Sequence, residues 1–165
     1  MSVLELYRLM YEYEKDCNDK MLAMLESVPE PNRGDARFRR AVTLAVHLAA
    51  GREKWLDFMN GKGQNPIAWW DETCELATLR PRFAELEAQW TRYLARLDED
   101  QLAQDFEFSE SNGETFRIPI EVQILQLIGH APYHRGQVAS LVHQLGGKTV
   151  DTDYADWWWN NRTPI

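Results

Sequence analysis

The sequence predicts an all-α fold, a four-helix bundle with a short β-hairpin before the last helix. Three observations carry this. Four long segments place apolar residues three and four apart. The breaks between them are rich in Pro, Gly and Asn, which stop helices. Residues 104 to 118 alone switch to alternation around Asn112-Gly113, a hairpin signal. No repeat, linker or low-complexity stretch divides the 165 residues, so one bundle domain over 1–165 is expected.

The first helix starts at Ser2, which stands in capping-box spacing with Glu5. Leu6, Leu9, Met10, Tyr13, Cys17, Met21, Met24, Leu25 and Val28 mark its expected inward stripe. Pro29 to Gly34 breaks it. The second helix runs from about Asp35, a good N-cap, to about Met59, with Val42, Ala45, Val46, Ala49, Trp55, Phe58 and Met59 inward. Residues 60 to 77 form a long connection containing Trp69 and Trp70, with room for one short helix.

Leu79, Phe83, Leu86, Trp90, Tyr93, Leu94 and Leu97 define the third helix, with Thr78 as its N-cap candidate and Pro81 tolerated in its first turn. The hairpin strands alternate Phe106 and Phe108, then Phe116 and Ile118, with polar residues. The last helix runs from about Ile120 to Leu145 and ends at Gly146-Gly147. Val122, Leu125, Ile128, Val138, Leu141, Val142 and Leu145 are expected inward, and Pro132 is expected to kink it. The tail from 148 is Trp-rich without clear period.

A net charge of −8 argues against nucleic acid or an anionic membrane as the main partner, since both require basic patches. No apolar run approaches the roughly 20 residues of a membrane span. The start, Met-Ser-Val-Leu-Glu, lacks the pattern of a signal peptide. Cys17 and Cys74 form no paired motif, so a reducing, cytoplasmic setting is expected.

Three of the four histidines carry the chemistry. His130 and His134 are four residues apart, which on a helix places both imidazoles on one face. Such a pair can grip one metal ion, and a third imidazole from another helix would complete half of an octahedron or three corners of a tetrahedron. The competing reading is two polar residues on a partly exposed face. His47 lies mid-way along the second helix among apolar neighbours, which keep its ring neutral. Its competing reading is a core histidine bonded to backbone. His143, nine residues after His134, faces the opposite side.

A lone histidine in the second helix, an Asn-Gly hairpin and then His130-Ala131-Pro132-Tyr133-His134-Arg135-Gly136-Gln137, with Gly146 and Asp153 following, resembles the DinB/YfiT-like family of metalloenzymes. The likeness covers nearly the whole chain. Gly129 departs from the pattern, since relatives often carry Asn there. The resemblance implies a bundle, often a homodimer, with a divalent metal (zinc, nickel or iron) on His47, His130 and His134. It also implies chemistry that uses a low-molecular-weight thiol: relatives include bacillithiol S-transferases and a mycothiol-dependent isomerase.

Of the neighbours, Gln137 lies three residues after His134, where it can orient a ligand imidazole. Arg135 points away from the metal, and a salt bridge to Asp151 or Asp153 is its expected role. Gly136 is expected to allow close helix packing, and Tyr133, Trp55 and Trp69 to line a pocket or the core. A di-iron carboxylate bundle is excluded, because Leu44, Leu127 and Ala131 stand three residues before the histidines where Glu is needed. No His-Glu-x-x-His, Ser-His-Asp elbow or phosphate loop is present.

Three neutral imidazoles leave a metal its full charge and open positions. The expected function is thiol S-transfer to a small electrophile. Metal-dependent hydrolysis and a non-catalytic bundle serving as a binding module are the alternatives. Catalytic residues beyond the metal set are not identified by the sequence.

Overall fold

The computed structural model describes residues 1–63, 65–110 and 112–161. Four long helices, α1 (Val3–Glu26), α2 (Ala36–Met59), α3 (Leu79–Arg96) and α5 (Ile120–Gln144), form the bundle. A short α4 (Glu99–Leu102) and the hairpin strands β1 (Asp105–Ser109) and β2 (Thr115–Pro119) lie between α3 and α5, and α6 (Tyr154–Asn161) follows. The helices pack as a ring, α1 on α3, α3 on α2, α2 on α5 and α5 on α1, with α2·α5 the most extensive contact.

Local chemistry sets the ends. The Ser2 hydroxyl accepts from the Glu5 amide at 3.2 Å while the Glu5 carboxylate accepts from the Ser2 amide at 2.6 Å, the reciprocal box expected. The Asp35 carboxylate accepts from the Arg37 amide at 2.8 Å and starts α2. Thr78 precedes α3 but makes no side-chain cap; its hydroxyl donates to the Glu75 carbonyl at 2.7 Å. The end of α5 wraps through Gly146, whose φ of +75° favours glycine, so that the Gly147 amide reaches the Val142 carbonyl at 2.9 Å. A Cβ on Gly147 would lie 2.6 Å from Val142 and 3.0 Å from Val28, so glycine is required there as well.

The core is built on Trp90, Met21, Leu25, Leu44, Val46, Leu79, Val138 and Val142, all fully buried. Tyr13, Cys17, Met21, Met24, Leu25 and Val28 of the first expected stripe and Val138, Val142 and Leu145 of the last are buried as expected, and the rest of each stripe departs from it. In α1 the stripe facing α3 and α5 is Leu4, Tyr7, Tyr11, Glu14, Asn18, Met21 and Leu25, and Leu6 is exposed. Tyr13 and Cys17 face instead a small second cluster with Trp157 of α6. In α5 Val122 and Leu125 are exposed, and Ile124, Leu127 and Ala131 take the buried positions. Both helices carry apolar residues on more than one face, so periodicity alone selects only part of the buried set.

α5 continues as helix through Pro132. The Trp-rich tail, read as irregular, holds α6; the Asp153 carboxylate accepts from the Ala155 amide at 2.7 Å and starts it. The hairpin pairs Phe106 with Ile118 and Phe108 with Phe116, and Gly113 supplies a φ of +88° near its tip. Ser111, also in that loop, lies outside the described residues. No helix among the described residues is long and apolar enough to cross a membrane.

Candidate metal centre

The α2·α5 contact brings the three histidines together. His47 comes from the middle of α2, and His130 and His134 from successive turns of α5. One ring nitrogen from each lies within 4.8 Å of the others, and no carboxylate or thiol joins this group among the described residues. His47 and His134 are buried, and His130 is half-buried.

Two hydrogen bonds decide which nitrogens are available. His47 Nδ1 lies 2.9 Å from the Trp69 carbonyl, which only accepts, so Nδ1 carries the proton and Nε2 keeps its lone pair. His134 Nδ1 likewise donates to Gln137 Oε1 at 2.9 Å and leaves Nε2 bare. His47 Nε2 and His130 Nε2 are 3.2 Å apart. Metal–nitrogen bonds of about 2.05 Å require a separation of about 2.9 Å at a right angle and about 3.3 Å at a tetrahedral angle. The pair thus already has the spacing of two ligands of one ion.

Burial favours the neutral form of two of the rings. Burial pushes the His47 pKa below its ordinary value, with the His134 and Arg40 charges acting the same way and the Trp69 hydrogen bond opposing. Burial also lowers that of His130, aided by the charges of His134, His47 and Arg52. A neutral ring is the form that binds metal.

The connection between α2 and α3 closes one side of the site. The Asn65 side-chain amide donates to Asp57 at 2.6 Å, and its carbonyl oxygen accepts from the Ile67 amide at 2.8 Å. This turn delivers the Trp69 carbonyl to His47 and stacks the Trp70 ring flat on the His47 imidazole, with centroids 3.7 Å apart. Trp70 was not singled out by sequence reasoning. A stacking partner arriving from a loop has no periodicity to reveal it.

The remaining candidates are distributed as follows. Gln137 contacts a site imidazole. Trp55 and Trp69 line a cavity of about 160 Å³ beside His47 and His130, together with Gly51, Arg52 and Gln126. Tyr133 is exposed, with its ring edge-on to His134 at 5.0 Å between centroids. Arg135 does not form the expected salt bridge. It is buried and turned toward α1, where Nη1 donates to Asn18 at 3.4 Å. Asp151 and Asp153 instead accept backbone amides of the tail. Gly136 faces open space, so it does not serve close packing. His143 is exposed.

Sequence reasoning also missed a buried ion pair. Arg52 of α2 makes a two-pronged contact with Glu14 of α1, through Nε to Oε1 at 2.9 Å and through Nη2 to Oε2. The Trp90 indole donates to the Arg52 carbonyl at 3.1 Å. Glu14 falls at helical spacing between Tyr11 and Asn18, which is the only hint of its burial in the sequence.

A helical bundle whose two most extensively packed helices bring three imidazoles to one point defines a protein class with a site fit for a metal ion. The DinB family model matches residues 1–163, and the chain belongs to the DinB family. No curated protein matches the chain.

Proposed function

We propose that His47, His130 and His134 hold one divalent metal ion and that the protein is a metal-dependent enzyme, a thiol S-transferase acting on a small electrophile. The observation that carries this is the set of bare nitrogens: two imidazoles are oriented by hydrogen bonds at Nδ1, two Nε2 atoms are already at ligand spacing, and among the described residues no carboxylate or thiol joins them. Structural zinc sites are closed by four protein ligands, often cysteine. Here Cys17 is buried against α6 and Cys74 lies near Thr78, so neither is in the cluster.

A divalent ion on three neutral imidazoles supplies a full 2+ charge that lowers the pKa of a thiol or water. Zinc and nickel suit sulfur well, and iron also fits imidazole donors. The chain's own residues supply orientation. The Trp69 carbonyl and Gln137 hold two rings in one tautomer, and Trp70 limits rotation of His47. Trp55 and Trp69 wall the adjoining cavity and restrict water there.

The test is a turnover screen of metal-loaded protein on small electrophiles and esters, with and without low-molecular-weight thiols. Turnover that needs thiol and is lost in His134→Ala supports S-transfer. Turnover without thiol supports the hydrolase alternative. Absence of both, with full metal occupancy, supports a non-catalytic bundle.

A further inference from the structure

A second and larger hollow adjoins the histidine cavity. It measures about 520 Å³ and is lined by Lys54, Trp55, Phe58, Trp69 and Phe108, with Asn65, Ser109 and Glu110 completing it. Trp55 and Trp69 line both spaces, so the hollow lies next to the cavity that His47 and His130 line. Its volume falls in the roughly 300–1,000 Å³ range of small-molecule sites.

Two features of its walls point to an occupant. The first is the aromatic lining. Trp55 sits 5.7 Å from Trp69 and 4.9 Å from Phe108 between ring centroids, tilted or edge-on, and Phe58 is 5.6 Å from both Trp55 and Phe108. Such rings offer both faces and edges to a flat guest. The second is Lys54, only 7% exposed. Its ammonium donates to the Asn65 carbonyl at 2.7 Å and lies 5.1 Å from the centre of the Trp69 ring. Among the described residues no carboxylate comes within ion-pair distance of it; Glu110, the acid of the same lining, is exposed. An ammonium has three donors, and the Asn65 carbonyl takes one of them.

We propose that this hollow recognises an aromatic carboxylate, its ring against Trp55 and Trp69 and its carboxylate on Lys54. The orientation places the remainder of the molecule at the histidine cavity, so the inference deepens the metal-enzyme reading and rests on it for the direction of binding. The recognition itself uses no histidine.

The test is titration of the full chain with naphthoate, followed through the tryptophan indole N–H signals by NMR, with naphthol and cyclohexanecarboxylate as comparators. Naphthoate is expected to bind about tenfold more tightly than either comparator. Lys54→Met, which keeps most of the stem, should remove that advantage over naphthol while naphthol binding and the dispersed spectrum of a folded protein persist. Equal affinity of Lys54→Met and wild type for naphthoate would overturn the proposal, as would equal binding of cyclohexanecarboxylate or no binding at all. Wild-type protein stripped of metal by chelator should still bind naphthoate, and loss of binding there would also overturn it. Metal content measured on the same wild-type sample decides the metal reading separately.

Discussion

His47 and Arg52 are neighbours on α2, yet the polar clusters they belong to are opposite in kind. Arg52 is met by the Glu14 carboxylate on two of its nitrogens, with the Trp90 indole closing the backbone carbonyl beside it. That cluster is satisfied within the protein. At His47 the outward-facing nitrogen is tied to Trp69, and the other faces the nitrogens of His130 and His134 with no anion among them. That cluster is held from outside at two of its three rings and open at its centre. The difference is one of direction: the first meets an opposite charge within the protein, and the second aims its nitrogens at a shared point.

The comparison can be broken most severely at the closed cluster. Glu14→Ala leaves the Arg52 charge buried without its partner and should cost about 3–5 kcal/mol in denaturant unfolding. Metal content per folded chain should stay unchanged. The paired change Glu14→Leu with Arg52→Met should recover most of that stability, because replacing both charges removes the desolvation penalty. Loss of metal in either variant would show that the clusters are coupled.

At the open cluster, Gln137→Ala removes the acceptor that orients His134, and metal affinity should fall about 10- to 100-fold with the melting temperature of the metal-free protein little changed. A competition titration against a chelator of known affinity measures this.

A smaller effect is expected from pH. Burial lowers the pKa of His47 and His130, so between their ordinary value of about 6.5 and their lowered folded values the unfolded chain binds more protons than the folded one. The metal-free protein should therefore hold full stability above about pH 6.5 and lose part of it as pH falls below that. A series of thermal melts would reveal this, and His47→Ala should flatten the slope. The smallest effect belongs to a region remote from both clusters. Ser2→Ala should cost about 1 kcal/mol through loss of the α1 cap, with no effect on the metal centre.

The sequence made the bundle legible because helix stops, caps and the hairpin alternation are local signals. The Ser2 box, Asp35, Asn112-Gly113 and Gly146 each act within a few residues. Which face of a helix is buried is a tertiary matter. Leu6, Val122 and Leu125 fit an inward period yet lie outside, while Glu14 and Asn18 lie inside because Arg52 and Arg135 meet them there.

At the site, His130 and His134 could be joined by spacing, and His47 only through the resemblance. The Trp69 carbonyl and the Trp70 ring were illegible because a loop of irregular backbone carries them. Arg135 was placed in the wrong partnership because its charge suggested an acid, whereas burial against α1 gave it an amide.

The central claim is that the three imidazoles share one metal ion. Its most direct test is the metal content of protein purified without a histidine tag or chelator, measured by plasma mass spectrometry beside His47→Ala. The account predicts close to one zinc, nickel or iron per chain in the wild type and nearly none in a folded His47→Ala. A wild type that carries no metal and takes none up on addition would contradict it, as would full occupancy in the variant.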